Sequence, residues 1–122
     1  MKKQYLLLSC LFLIIYTKAQ NPSIEYEEYF LDNAMRDEYL KLGAVGLIYG
    51  RFIDSEGHEI DGPLRNRTMA IELDTARAAP ARVAICGGRA KTAAVAATLR
   101  AGFATHLVTD EKTAKRLLRE IS

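Results

Sequence analysis

Residues 83–91, Val-Ala-Ile-Cys-Gly-Gly-Arg-Ala-Lys, have the types and spacing of an anion-binding turn. Apolar residues run up to Cys86, two glycines follow, and Lys91 comes three residues after Gly88. This order predicts a buried strand, a tight turn and the start of a helix. The N-terminus of a helix carries about half a positive charge, so a lysine there is unfavourable unless an anion lies nearby. Backbone N–H groups of the Gly87–Gly88 turn, together with Lys91, could therefore bind a phosphate or a carboxylate.

The same residues also fit an ordinary loop followed by a solvated lysine. Short patterns of glycine and lysine occur by chance in many sequences. The motif alone therefore leaves both interpretations open.

Residue types suited to covalent catalysis or metal binding are few. The cysteines are Cys10 and Cys86 and the histidines are His58 and His106, with neither metal-ligand spacing nor a disulfide framework. A catalytic thiolate needs a nearby base, and no acid–serine or acid–cysteine arrangement lies beside either histidine in the sequence. We therefore predict no catalytic residue, no metal and no cofactor, and interpret Cys86 as a small buried hydrophobic residue.

Four charged residues next to predicted turns have a structural and a ligand-binding interpretation. Asp110 could orient a ligand, but an aspartate directly before a helix is first of all an N-cap. Arg51 could reach a ligand or a partner, although an arginine in an edge hairpin is usually solvated. Arg65 and Arg67 could clamp an anion, but surface charges following a turn are the simpler expectation.

The composition fits one globular domain. The chain has 122 residues, of which 49% are hydrophobic and 26% are charged. The net charge of +2 depends on Lys2, Lys3 and Lys18, because beyond Gln20 there remain 14 basic and 15 acidic residues. No basic stripe is left that would bind nucleic acid or an anionic membrane through bulk charge.

The first 20 residues differ from the rest and look like a secretory signal. A basic start is followed by an apolar stretch from Tyr5 to Tyr16 and then by small and polar residues. The stretch is shorter than the ~20 apolar residues of a spanning helix. These residues would direct export if they act as a signal, and the alternative is a buried helix or strand. Residues 21–35 are predicted to be a junction or linker, and residues 36–122 to be the folded domain.

The folded domain alternates strand-like and helix-like segments, which predicts the α/β class. Residues 83–86 are uninterrupted apolar sequence, typical of a central parallel strand covered on both faces. The expected strands cover residues 44–53, 68–73, 83–86 and 106–108, and a hairpin arm covers residues 58–60. The strand over 68–73 is expected because Met69, Ile71 and Leu73 alternate with less apolar residues. The expected helical segments are a short turn capped by Asp74, a helix over 90–101 and a last helix with an apolar stripe of Ala114, Leu117, Leu118 and Ile121.

The last four elements form a strand-helix-strand-helix unit. Such connections are right-handed, so the Gly87–Gly88 turn and the Thr109–Asp110 turn should lie at the same carboxyl edge of a parallel sheet. Ligands of open parallel sheets bind at that edge.

Several blocks of the sequence resemble, in order and spacing, the C-terminal part of the sugar-binding domain of SorC-family transcriptional regulators. The resemblance covers about residues 35–122. The blocks are Gly43-Ala44-Val45-Gly46, then Gly50-Arg51-Phe52 with Asp54 and Gly57, then Gly87-Gly88 with Lys91, and finally Val108-Thr109-Asp110-Glu111 with Thr113-Ala114.

This resemblance implies a partial Rossmann-like parallel sheet with flanking helices, similar to the glucosamine-6-phosphate deaminase and ribose-5-phosphate isomerase fold. It implies a phosphorylated sugar as effector, contacted by Gly46, residue 47, Gly87, Gly88 and Lys91, with the lysine on the phosphate. It also implies a cytoplasmic domain that joins subunits into a homo-oligomer and has no membrane partner. The family has an acidic residue at position 47, whereas Leu47 cannot accept a hydrogen bond from a sugar hydroxyl.

The chain departs from the family pattern in having neither the helix-turn-helix module nor the earlier half of the effector domain. DNA binding is therefore expected only through a module that this chain lacks, and a truncated or fused gene product is expected. An incomplete sheet would leave an edge strand unpaired, which favours association or marginal stability. Two alternatives stay open: a fragment without a ligand, and a sugar-phosphate isomerase-like enzyme, although the carboxylate base that such an enzyme needs is absent at Leu47.

Overall fold

The computed structural model describes residues 33–122. The signal-like segment 1–20 and residues 21–32 of the proposed junction lie outside this range. None of the helices formed by residues 33–122 is both long enough and apolar enough to cross a membrane. The elements are α1 (Asn33–Lys41), β1 (Gly46–Ile48), β2 (Arg51–Ile53), a 3-10 turn (Arg65–Arg67), α2 (Leu73–Arg77), β3 (Val83–Ile85), a 3-10 turn (Arg89–Lys91), α3 (Thr92–Arg100), β4 (His106–Val108) and α4 (Glu111–Ile121).

A parallel strand pair flanked by helices forms the centre of the molecule, as the α/β prediction requires. β3 and β4 pair in parallel, with Ala84 opposite Leu107, and α3 connects them. α3 packs against both α4 and β1. Its small residues from Ala94 to Thr98 are all buried, because short side chains let the helix approach its neighbours closely.

The strand predicted over residues 44–53 is a two-stranded antiparallel hairpin. Tyr49 and Gly50 connect β1 to β2 and have φ values of 48° and 77°, the conformation that two-residue hairpin turns favour. The chain then turns at residues 54–57, and Glu59 pairs with Ile53 in an isolated bridge. The expected hairpin arm is therefore confirmed. Ile48 and Ile53 direct their side chains into the core and are fully buried.

The strand predicted over residues 68–73 is absent. Met69 is fully exposed and Ile71 is exposed, while Leu73 is buried as the first residue of α2. The backbone of this segment is bound by a side chain instead of a strand, because Arg51 donates hydrogen bonds to the carbonyls of Ala70 and Ile71. The cap prediction for Asp74 is also wrong. Glu72 holds the N-cap position without a side-chain cap bond, and Asp74 lies in the first turn.

Within residues 33–122, β3 is covered on one face and not on both. Ala84 is buried against the core, but Ile85 and its register partner Val108 are 60% and 55% exposed. Part of the apolar surface of this strand pair is therefore not covered by residues 33–122. The expected stripe on α4 is likewise only partly buried, because Leu117 lies in the core whereas Leu118 and Ile121 are exposed.

Tyr39 attaches α1 to the hairpin and to the loop that follows it. Its ring stacks on Phe52 with 3.9 Å between ring centroids, and its hydroxyl oxygen accepts a hydrogen bond from the Leu64 N–H at 2.9 Å. A Cβ at Gly62 would lie 2.2 Å from Tyr39 Cε1, so the loop passes directly over the ring. Burial raises the pKa of Tyr39, which keeps the hydroxyl protonated.

Replacing Tyr39 with phenylalanine should destabilise the fold by about 1–3 kcal/mol, because the ring stays in place but the Leu64 N–H loses its acceptor. Urea unfolding of the full chain measures this loss. Tyr49→Phe, which removes the hydroxyl of a half-buried tyrosine, is the control and should change the free energy of unfolding little. Equal losses in the two variants would show that the Leu64 bond is unimportant.

Candidate functional site

The segment singled out by sequence forms a strand, a turn and a helix start, as predicted. β3 ends at Ile85, Gly87 and Gly88 make the turn, and the 3-10 turn Arg89–Lys91 leads directly into α3. The first bond of this turn runs from the Lys91 N–H to the Gly88 carbonyl at 3.1 Å. The preceding N–H groups at the start of such a turn have no partner within it and point away from the helix.

Both glycines are required by the shape of the turn. Gly88 has φ 104° and ψ 148°, a conformation that is essentially restricted to glycine. A Cβ at Gly87 would lie 2.5 Å from Oδ2 of Asp110, so the Asp110 carboxylate lies directly against this residue. The glycine pair thus allows the two turns at the carboxyl edge of the sheet to meet.

Asp110 connects these two turns. It is the N-cap of α4 as predicted, because Oδ1 accepts a hydrogen bond from the Thr113 N–H at 2.9 Å. Oδ2 accepts one from the Thr113 hydroxyl at 2.6 Å and a longer one from the Gly88 N–H at 3.3 Å. The Gly88 N–H also donates to Thr113 Oγ1 at 2.9 Å.

These bonds lower the pKa of Asp110, with the Thr113 hydroxyl as the largest cause, followed by the Thr113 and Gly88 N–H groups. The carboxylate therefore contributes stability that is present above its unfolded pKa of about 3.9. That contribution is lost as the pH falls through the folded pKa.

Lys91 is half-buried at the end of the 3-10 turn. Burial raises the pKa of the Cys86 thiol, and the positive charge of Lys91 offsets part of this effect. The backbone of Lys91 lies near the carboxyl end of β3, because its N–H donates to the Gly88 carbonyl. Among residues 33–122, no carboxylate forms an ion pair with it. Cys86 packs against the core but is only half-buried, so its interpretation as a buried hydrophobic residue is confirmed in part.

Gly46 and Leu47 lie in β1. Gly46 is buried and Leu47 is half-buried. Leu47 lies opposite Phe52 in the hairpin, and the Phe52 ring stacks on the Tyr39 ring. The register neighbour of position 47 is thus an aromatic side chain of the hairpin. α3 follows Lys91 and packs against β1. Within β1, Gly46 and Ile48 are buried, whereas the half-buried Leu47 lies on the other face of the strand.

Arg51 is a buried structural residue, which corrects the expectation that it is solvated. The side chain is 5% exposed. Its guanidinium donates to Glu59 at 2.8 Å, to Glu72 at 2.7 Å and to the carbonyls of two residues of the loop before α2. The bond with Glu59 is the largest cause of the raised pKa of Arg51. With these bonds made, little donor capacity remains for a ligand.

Two other features complete the description. Arg65 and Arg67 are exposed on a 3-10 turn, in agreement with their interpretation as surface charges. Thr109 Oγ1 is buried without a hydrogen-bond partner in the described part of the chain and lies 3.8 Å from the position of a Gly87 Cβ. Residues 33–122 contain no group of histidine, cysteine and acidic side chains that could hold a metal ion.

A parallel strand pair with flanking helices and a glycine turn at its carboxyl edge is the α/β arrangement that the sequence predicted. The sequence model of a sugar-binding domain matches residues 18–119, and the chain belongs to this family. The resemblance found in the sequence is thereby confirmed.

Relatives of the chain are transcriptional regulators. The chain is 38% identical over 78 residues to the transcriptional regulator LsrR of Escherichia coli O139:H28, which covers 63% of this chain and 25% of that protein. It is 37% identical over 82 residues to the erythritol catabolism regulatory protein EryD of Brucella abortus, covering 67% of this chain and 26% of that protein. The chain therefore spans about a quarter of the length of these relatives.

Solved structures agree with this assignment. A transcriptional regulator from Streptococcus pneumoniae has a TM-score of 0.72 at 34% identity, covering 77% of this chain and 36% of the other. The full-length sorbitol operon regulator SorC from Klebsiella pneumoniae has a TM-score of 0.79 at 24% identity, covering 88% of this chain and 34% of the other. The second likeness establishes the fold alone, and both support the predicted α/β class.

Proposed function

We propose that this chain is the effector-binding portion of a sugar-responsive transcriptional regulator and that its effector is a phosphorylated sugar. The phosphate binds at the Gly87–Gly88 turn and at the start of the following helix, with Lys91 as its cation. The domain senses the effector and catalyses no reaction.

The observation that carries this proposal is the state of Lys91. Lys91 is a half-buried residue at a helix start, and no carboxylate among the described residues is paired with it. A bound anion removes the unfavourable interaction between this charge and the helix dipole. Phosphate fits because it can accept hydrogen bonds from several N–H groups and from the ammonium at once.

Leu47 limits which sugars fit. A sugar hydroxyl directed at Leu47 would lose its bond to water without gaining an acceptor. The preferred effector is therefore a phosphosugar whose group nearest Leu47 is apolar or absent. This requirement follows from the presence of a leucine at the position where the family has an acidic residue.

The proposal also implies where the domain acts and what it associates with. A regulator acts beside DNA, so the domain belongs in the cytoplasm, and it reaches DNA through a module outside the described residues. The exposed side chains of Ile85, Val108, Leu118 and Ile121 favour association with a second copy, because exposed apolar surface of this kind is often an interface.

Calorimetric titration of the full chain tests the effector class. Fructose 1,6-bisphosphate and dihydroxyacetone phosphate are compared with fructose and dihydroxyacetone at equal concentration. Binding of at least one phosphorylated compound, without binding of its parent, is the expected result. Binding of the parents with equal affinity would contradict a phosphate-centred site.

One observation favours a second candidate, a family fold that has no ligand. The Gly88 N–H already donates to Thr113 and Asp110. One N–H group of the turn is therefore not free to bind an anion. If no phosphosugar in a broad panel gives heat of binding to a cooperatively folded chain, this second candidate is the correct one.

A further inference from the structure

We propose that Asp110 is the residue of this site that recognises a hydroxyl group of the effector, in place of the acid that position 47 lacks. This inference rests on the proposed phosphate site at Lys91. It assigns to Asp110 a role in specificity in addition to its role as the cap of α4.

The position of the carboxylate supports this role. Oδ2 lies 2.5 Å from where a Gly87 Cβ would be and 3.3 Å from the Gly88 nitrogen, so an acidic group is built into the turn itself. Lys91 bonds back to the Gly88 carbonyl through its own N–H. The Asp110 carboxylate therefore lies at the same glycine turn that we propose holds the phosphate, and a molecule with a hydroxyl a few atoms from its phosphate can reach both groups.

The carboxylate has capacity left for such a bond. The Thr113 hydroxyl and the Gly88 N–H donate to Oδ2, whereas the Thr113 N–H donates to Oδ1. An ionised carboxylate has about four acceptor sites, so at least one on Oδ1 stays open. Asp110 is exposed in the chain, which leaves that oxygen accessible to a ligand.

Bonds that hold the carboxylate also orient it. Thr113 is buried and fixes both oxygens, so accepting a ligand hydroxyl requires no rearrangement. For inorganic phosphate the same carboxylate adds charge repulsion, which offsets a hydrogen bond from a protonated phosphate oxygen. Asp110 should therefore improve discrimination between a phosphosugar and bare phosphate without improving the binding of phosphate itself.

The test compares two ligands in two variants of the full chain. Asp110→Ser keeps a capping hydroxyl at the start of α4 but removes the carboxylate. Dissociation constants for dihydroxyacetone phosphate and for inorganic phosphate are measured by calorimetry. We expect the phosphosugar to bind about 10-fold to 100-fold more weakly, since a hydrogen bond to a charged group is lost, while phosphate binds equally well or better.

Glu111→Gln is the matched control, because it removes a negative charge from the first turn of the same helix without touching the glycine turn. It should leave the ratio of the two dissociation constants unchanged. If Asp110→Ser weakens both ligands equally, or neither, Asp110 is only a cap and the inference is wrong, while the proposed phosphate site stands. If the unmodified chain binds neither ligand, the proposed function fails and this inference fails with it.

Discussion

Replacing Lys91 with alanine should weaken phosphosugar binding by about 10-fold to 100-fold, because a charge-assisted hydrogen bond to the phosphate is lost. The remaining N–H groups of the turn cannot compensate for the charge. Lys91→Arg should keep part of the affinity, since a guanidinium also binds phosphate but with a different reach. Calorimetric titration with fructose 1,6-bisphosphate measures both variants.

Folding should be unaffected or slightly improved in Lys91→Ala. A half-buried cation at a helix start is unfavourable without its anion, so its removal relieves this cost in the free protein. Lys112→Ala, which removes an exposed lysine from the first turn of α4, is the control and should not alter binding. A Lys91→Ala variant that binds as tightly as the unmodified chain would place the phosphate elsewhere.

Replacing Arg51 with methionine should destabilise the domain by about 3–5 kcal/mol, nearer the lower value because Glu72 stays exposed to water. Methionine fills most of the volume, but Glu59, which is 14% exposed, loses its cation. The loop before α2 also loses the donors to the Ala70 and Ile71 carbonyls. Chemical unfolding of the full chain measures the change.

A loss of this size is a large share of the 5–15 kcal/mol typical of a domain, so Arg51→Met can be too unstable to purify. Arg51→Lys is therefore included, because it keeps the charge but cannot make the same set of bonds, and it should show an intermediate loss. Arg67→Ala, at an exposed position, is the control. If Arg51→Lys and Arg67→Ala have the same stability as the unmodified chain, the arginine has no structural role.

The strand-turn-helix around Gly87 and Gly88 could be predicted because its signals are local. An apolar run, a glycine pair and an alanine-rich helix follow one another directly in the sequence. The meeting of the two turns was also predictable, because parallel strands bring their carboxyl ends to the same edge. Because the two turns meet at this edge, the Gly88 N–H can donate a hydrogen bond to Asp110.

Other parts of the structure depend on contacts between distant residues. Arg51 binds carbonyls and a carboxylate 19 to 21 residues further along the chain, and no pattern near Arg51 indicates this. The alternation of Met69, Ile71 and Leu73 resembles a strand, but the Arg51 guanidinium takes the place of a neighbouring strand as partner of that backbone. Local preference was therefore overruled by a single buried side chain.

The prediction that β3 is covered on both faces is wrong for a different reason. The apolar character of residues 83–86 indicates how much surface the strand tends to bury, but it does not indicate which residues cover it. In the described part of the chain Ile85 and Val108 remain exposed. Similarly, Leu118 belongs to the apolar stripe of α4 in the sequence and yet lies outside the core.

The thermal midpoint of the full chain, with and without millimolar fructose 1,6-bisphosphate or dihydroxyacetone phosphate, tests the central claim most directly. A ligand that binds only the folded state raises the midpoint by mass action. We expect at least one of these phosphosugars to raise it in the unmodified chain, and the increase to disappear in Lys91→Ala. A cooperative transition whose midpoint neither compound shifts, or an equal shift in the two proteins, would contradict a phosphosugar site at Lys91.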